Sequence, residues 1–121
     1  MKKLLIIEDE AALQDALQKA FAADGYEIFQ AFDGEEGIKL AKEKKPDMIL
    51  LDLILPKKHG FEVLQEIKQD ETIKEVPVLV LTNLEESTEV MKAIELGARG
   101  YLVKANYALK EVLAKVKDIL G

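Results

Sequence analysis

Cysteine is absent from this sequence. That excludes a disulfide framework and any thiolate chemistry, and it fits a reducing cytoplasm. Histidine occurs once, at His59, so a zinc site has no ligand set. Long apolar runs are missing too: none reaches the roughly 20 residues that a membrane-spanning helix needs. The opening "MKKLLII" joins two lysines to an apolar run, but that run is short and meets Glu8-Asp9-Glu10 at once. It is a poor signal peptide. Positive charge is scarce. Seventeen basic residues face 23 acidic ones, for a net charge of −6. Direct nucleic-acid binding needs a basic face; this balance argues against it and suits a bound cation. No repeat, low-complexity segment or linker interrupts the chain. What is present, 49% hydrophobic and 33% charged over 121 residues, suits one folded domain.

Apolar runs alternate with helical periodicity. The runs are "KLLII" (3–7), "YEIFQAF" (26–32), "MILL" (48–51), "VLVLT" (78–82) and "GYLV" (100–103). The first, third and fourth are continuously apolar, as parallel strands buried on both faces are. Between the runs the spacing changes to 3.6. Leu13, Ala16, Leu17, Ala20 and Phe21 form one stripe, and Ile38, Leu40 and Ala41 a second. Phe61, Leu64 and Ile67 form a third, and Val90, Met91 and Ile94 a fourth. Leu109, Val112, Leu113, Val116 and Leu120 form the fifth. Asp24-Gly25 and Gly97 end the first and fourth helices, where glycine takes the left-handed cap. Asp33-Gly34 reads as a turn. Pro46 and Pro77 each precede a strand, and "KEKK" (42–45) is a solvated helix end.

The order is βα five times over. It implies an α/β fold, a flavodoxin-like three-layer sandwich whose five-stranded parallel sheet has the order 2-1-3-4-5. Ligands in such sheets bind beyond the carboxyl ends of the strands, where the order reverses. Here that point lies between strands one and three.

The stretch "ILLDLILP" (49–56) sets a single carboxylate in apolar surroundings. An ionised carboxylate buried without a partner is very costly. If Asp52 is the last residue of strand three, its carboxylate emerges at the mouth of the site. Glu8 and Asp9 follow strand one, Thr82 ends strand four, and Lys104 follows strand five. Three carboxylates, a hydroxyl and an ammonium thus reach one edge. Crowded carboxylates repel one another, and a hard divalent cation relieves this. Mg²⁺ takes oxygen ligands and is usually held by one or two carboxylates plus a phosphate. Glu8 and Asp9 are placed to hold it, directly or through water, with Asp52 sharing it. An ionised aspartate there is a nucleophile toward phosphorus and gives an aspartyl phosphate. Lys104 and Thr82 then contact the phosphoryl oxygens. Transfer of this kind is mostly positioning and electrostatics. Plainer readings exist for each residue. Glu8, Asp9 and Glu10 suit the cap and dipole of the first helix. Thr82 suits an ordinary strand end, and Lys104 the surface. Asp52 alone interrupts a core strand, and the joint placement favours a site.

With these residues placed, the chain resembles a response-regulator receiver domain, the CheY-like family of two-component signalling. The likeness covers essentially the whole chain. It rests on "LLIIEDE" (4–10), "DMILLDLILPKKHGFEVL" (47–64), "VPVLVLTN" (76–83), "ELGARGYLVKA" (95–105) and a final amphipathic helix. The resemblance implies that Asp52 accepts a phosphoryl group from a phosphohistidine on a sensor histidine kinase or phosphotransfer protein. It implies that Glu8, Asp9, Asp52 and the backbone carbonyl of Ile54 bind Mg²⁺, and that Thr82 and Lys104 bind the phosphoryl group. Thr82 and Tyr101 would form a switch pair. The face of helix four, strand five and helix five would then change its affinity for a downstream protein partner. Without the family pattern, Tyr101 reads as a strand aromatic covering a neighbouring helix.

Three positions depart from the family pattern. Asn83 stands where alanine or glycine is usual; it either narrows access to the phosphoryl site or adds a hydrogen bond. Ala105 stands where proline is usual, often after a cis bond. A cis bond before a non-proline residue costs about 2.5–4 kcal/mol, so either Lys104-Ala105 is strained or the loop is rearranged. Leu55 replaces the common methionine before Pro56. Ile54 and Leu84 line the expected path of attacking water, and both are apolar, so slow loss of the phosphoryl group is expected. His59 is either a phosphorelay residue or, as the loop context favours, a solvated side chain.

The main reading is a single receiver domain over 1–121 with no output domain, a cytoplasmic signalling switch and not a conventional enzyme. It contacts neither membrane nor nucleic acid, and is a monomer or a phosphorylation-dependent homodimer. The alternative is a pseudo-receiver, a protein-binding scaffold independent of phosphorylation. A phosphatase of the haloacid-dehalogenase type also uses an aspartyl phosphate, but it needs a second aspartate where this chain has Ile54.

Overall fold

The computed structural model describes the backbone of residues 1–82, 87–103 and 109–120, and the side chains of these except 82, 87, 88 and 103. Ten elements alternate strictly. They are β1 (Lys3–Ile7), α1 (Ala11–Ala23), β2 (Glu27–Ala31), α2 (Gly34–Lys44), β3 (Met48–Leu51), α3 (Gly60–Gln69), β4 (Val78–Thr82), α4 (Ser87–Glu95), β5 (Gly100–Val103) and α5 (Leu109–Leu120). The strands form one parallel sheet in the order β2-β1-β3-β4-β5. This is the flavodoxin-like fold expected from the sequence.

The continuous apolar runs are explained by two cores. Alternate strand residues point to opposite faces. Leu5, Ile7, Ile49, Leu51, Val78 and Val80 pack toward α2, α3 and α4. Leu4, Ile6, Met48, Leu50, Leu79 and Leu81 pack toward α1 and α5. Every residue of the central strands β1 and β3 except Lys3 is buried. Each large side chain so buried contributes about 1.5–3 kcal/mol.

The helix stripes need three corrections. On α1 the buried positions are Gln14, Leu17 and Phe21, with Leu13 only partly covered. On α4 the inward residue is Ala93, while Met91 and Ile94 are 60% and 46% exposed. A small residue lets the nine-residue helix sit close to the sheet, and its larger apolar side chains turn outward. On α5, Leu109 is exposed and the contact runs through Val112 and Val116. The left-handed stops hold: Gly25 has φ 91° and Gly97 φ 106°. Asp33-Gly34 is not a free turn. Asp33 is the N-cap of α2 and accepts from Glu36 N–H at 2.8 Å, while the Glu36 carboxylate accepts from Phe32 N–H at 2.8 Å. This is close to a capping box, with its second bond one residue early.

Candidate functional site

The site stands at the carboxyl edge of the sheet, where β1 lies between β2 and β3. The β3 ladder closes at Leu51, so Asp52 is the first residue beyond the strand rather than its last. It stays tied to the sheet, because its N–H donates to the Ile7 carbonyl at 3.0 Å. Glu8 follows β1 in the same way and donates its N–H to the Ala31 carbonyl at 3.0 Å. Neighbouring parallel strands thus end in step and deliver their next side chains to one point. Glu8, Asp9 and Asp52 each place a carboxylate oxygen within 4.8 Å of the others.

Two of these acids are nearly dry: Glu8 is 2% exposed and Asp52 5%. Asp9 faces solvent. Backbone donors reach both buried acids. Glu8 Oε2 accepts from Glu10 N–H at 3.0 Å, and Asp52 Oδ1 accepts from Ile54 N–H at 3.2 Å. The first bond gives the capping reading of Glu8–Glu10 a share of truth. Glu10 occupies the N-cap of α1 without a side-chain bond, and Glu8 serves the N-cap backbone instead.

The loop after Asp52 is held by close packing. Gly60 N–H donates to the Leu53 carbonyl at 2.8 Å. A Cβ at Gly60 would lie 2.4 Å from Leu53 Cα and 2.7 Å from the Asp52 carbonyl oxygen. Only glycine lets α3 start against the backbone that carries Asp52. His59, expected in solvent, is half-buried instead. Its Nδ1 accepts from Phe61 N–H at 3.1 Å as the N-cap of α3, and its ring lies 5.0 Å from that of Phe61. The Lys92 ammonium sits over the other partner in that stack, 4.7 Å from the Phe61 ring centre. Ile54 is 51% exposed at the rim.

The donor set fits a hard divalent cation. All three side chains offer oxygen, they are mutually close, and two are withdrawn from water, where their like charges are poorly screened. Of the other expected site residues, Thr82 closes β4 as anticipated. Tyr101 lies on β5 and is 42% exposed, so its ring faces outward rather than toward the acids. It lines a shallow groove with Leu102, Glu111, Ala114, Lys115 and Asp118. Asn83, Leu84, Lys104 and Ala105 lie outside the described residues, and with them the question of the Lys104-Ala105 bond. The residue that sequence reasoning missed is Gln14, 1% exposed, whose amide reaches the backbone on which Glu8 sits. Its signal was a polar side chain in register with Leu17 and Phe21, at spacings of three and seven.

Comparison with known proteins agrees with this geometry. The family model described as "Response regulator receiver domain" matches residues 4–117. The chain is 39% identical over 120 residues to the DNA-binding dual master transcriptional regulator RpaA of Synechocystis, covering 99% of this chain and 49% of RpaA. It spans about half the length of the curated relatives it matches. Among solved structures, the chemotaxis response regulator CheY4 of Vibrio cholerae superposes with a TM-score of 0.92 at 26% identity, over 98% of each chain. The Mn²⁺-bound form of response regulator Rcp1 superposes with a TM-score of 0.83 at 34% identity, over 98% of this chain and 91% of Rcp1. A matching family model over nearly the whole chain, on a CheY-like sheet with three acids at its switch point, places this protein in the response-regulator receiver domain family of two-component systems.

Proposed function

We propose that this receiver domain is a phosphorylation-controlled switch with Asp52 as its phosphoacceptor. The observation that carries the reading is the meeting of buried Asp52 with Glu8 and Asp9 at the sheet's carboxyl edge. The donor is a phosphohistidine on a sensor histidine kinase or phosphotransfer protein. An Asp52 carboxylate oxygen attacks phosphorus, the P–N bond breaks, and the imidazole leaves with the bonding pair and takes a proton. The product is an aspartyl phosphate. Glu8, Asp9, Asp52 and the carbonyl of Ile54 are the residues that would hold Mg²⁺. When bound, the ion supplies positive charge against three carboxylates and the phosphoryl oxygens. The solved Mn²⁺-bound form of Rcp1, a relative, supports a divalent ion here. Ile54 N–H holds Asp52 Oδ1 and so orients the carboxylate for attack. Thr82 and Lys104 take the phosphoryl contacts in this reading, while Asn83, Leu84 and Ile54 tune access and lifetime.

The signal leaves through α4, β5 and α5. Met91, Ile94 and Tyr101 stand exposed on these elements, and apolar side chains there suit contact with a protein partner. Thr82 and Tyr101 form the switch pair that links this face to the site. The downstream partner is a protein, and a second copy of the chain is one such partner. Among the described residues no helix is long and apolar enough to cross a membrane. The net charge of −6 argues against direct binding of this domain to nucleic acid.

Intact-mass spectrometry after incubation with Mg²⁺ and acetyl phosphate tests the reading. One added phosphoryl group on the parent, lost without Mg²⁺ and absent from Asp52→Asn, is expected. No adduct on the parent, together with no beryllofluoride complex, would replace this reading with the pseudo-receiver scaffold.

A further inference from the structure

Gln14 is buried on the inner face of α1. Its Nε2 lies 2.9 Å from the Ile6 carbonyl oxygen, 3.1 Å from that of Glu8 and 2.8 Å from that of Ala31. An amide nitrogen carries two hydrogens, so three acceptors share them. The reverse orientation would press Oε1 against three carbonyl oxygens, which leaves the amide one workable pose. The location is specific. The β1–β2 ladder ends at Ile7 and Ala31, and the first N–H after β2, that of Phe32, turns away to Glu36. Gln14 takes over where the ladder stops. It ties the end of β1, the acidic residue beyond it and the end of β2 to one helix. Gln30 Nε2 adds a bond from β2 to the Gln14 carbonyl at 3.2 Å.

We propose that Gln14 is a positioning residue for the cation site. It holds the Glu8 carbonyl while Glu10 N–H holds the Glu8 carboxylate. Between them they set the backbone from Glu8 to Asp9, and with it where both carboxylates point. Gln14 touches neither ion nor phosphoryl group and acts through Glu8. The inference rests on the reading that Glu8 and Asp9 hold a divalent cation. Outer partners of this kind typically contribute about 10–100-fold to metal affinity.

The test is a Mn²⁺ titration of the full chain, following the electron-spin signal of the free ion. Gln14→Met keeps the volume and removes the donors; Gln14→Asn keeps the amide but withdraws it by one methylene. Leu17→Val, one turn along the same buried stripe, is the control for a merely structural effect. The expected result is Mn²⁺ binding weakened about tenfold or more by either Gln14 change, with Leu17→Val lowering the melting temperature but leaving Mn²⁺ affinity within twofold. If Gln14→Met does not fold, Gln14→Asn decides. Equal Mn²⁺ affinity in the parent and the Gln14 variants would overturn the positioning role and leave the cation site standing. Equal weakening by Leu17→Val would also overturn it. A parent that binds no Mn²⁺ would instead remove the site reading beneath it.

Discussion

Glu8 and Asp52 are carboxylates held almost out of water within 4.8 Å of a third, Asp9. Like charges so placed repel, and a divalent cation held among them would relieve that repulsion. Replacing Asp52 by Asn removes one charge and keeps an oxygen for Ile54 N–H. Mg²⁺ is expected to stabilise the parent: at 100 times its dissociation constant a bound ion would add about 2.7 kcal/mol, visible as a rise in melting temperature that Asp52→Asn largely loses. An unchanged melting temperature for the parent would contradict the cation site. Gly60 is the third residue at which the site is exacting. Gly60→Ala drives a methyl into Leu53 Cα and is expected to destabilise by about 1–3 kcal/mol, again by urea denaturation.

The elements hold the site through their ends. Asp33 caps α2 and meets the Lys57 ammonium at 3.7 Å, joining the end of β2 to the loop beyond Asp52. Asp33→Ala is expected to cost about 1 kcal/mol through the lost cap, measured by thermal denaturation. At the far end of α3, Asp70 accepts from the Thr72 hydroxyl at 2.6 Å and from Thr72 N–H at 2.8 Å, and pairs with Lys42 of α2. The Thr72 hydroxyl, then its N–H, hold the Asp70 carboxyl below the ordinary carboxylate range. A depressed folded value means stability that is present above the unfolded pKa and lost as pH falls through the folded one. Asp70→Asn should thus cost stability at neutral pH, with the difference from the parent closing in strong acid. A gap that stays constant with pH would contradict this assignment. Caps of this kind were partly readable. The Asp33-x-x-Glu36 spacing is a start signal, yet Asp33-Gly34 also fits a turn. A histidine N-cap such as His59 lies outside the usual set of Ser, Thr, Asp and Asn.

Across the whole molecule, four of the five strand boundaries were legible. β1, β3 and β4 match their apolar runs residue for residue, because a strand between two helix layers has no polar side, and the edge strand β5 matches its run too. The edge strand β2 is shorter than its run, since Tyr26 and Phe32 are apolar without being in the ladder. Helix faces were less legible. Ala93 packs α4 while Met91 and Ile94 face outward, and hydrophobicity alone ranks them the other way. The acidic trio was legible because Glu8 and Asp52 directly follow apolar strands and Asp9 is next to Glu8. Gln14 was legible only as a polar residue in register with Leu17 and Phe21; its partners are backbone carbonyls, which carry no sequence signal. The central claim is that this fold delivers Asp52, and no other group, to the phosphoryl donor. Borohydride reduction of the protein after treatment with Mg²⁺ and acetyl phosphate, followed by peptide sequencing by mass spectrometry, tests it most directly, because an aspartyl phosphate is reduced to homoserine. Homoserine at position 52 alone is the expected result; homoserine at Asp9 or elsewhere, with Asp52 intact, would contradict the account.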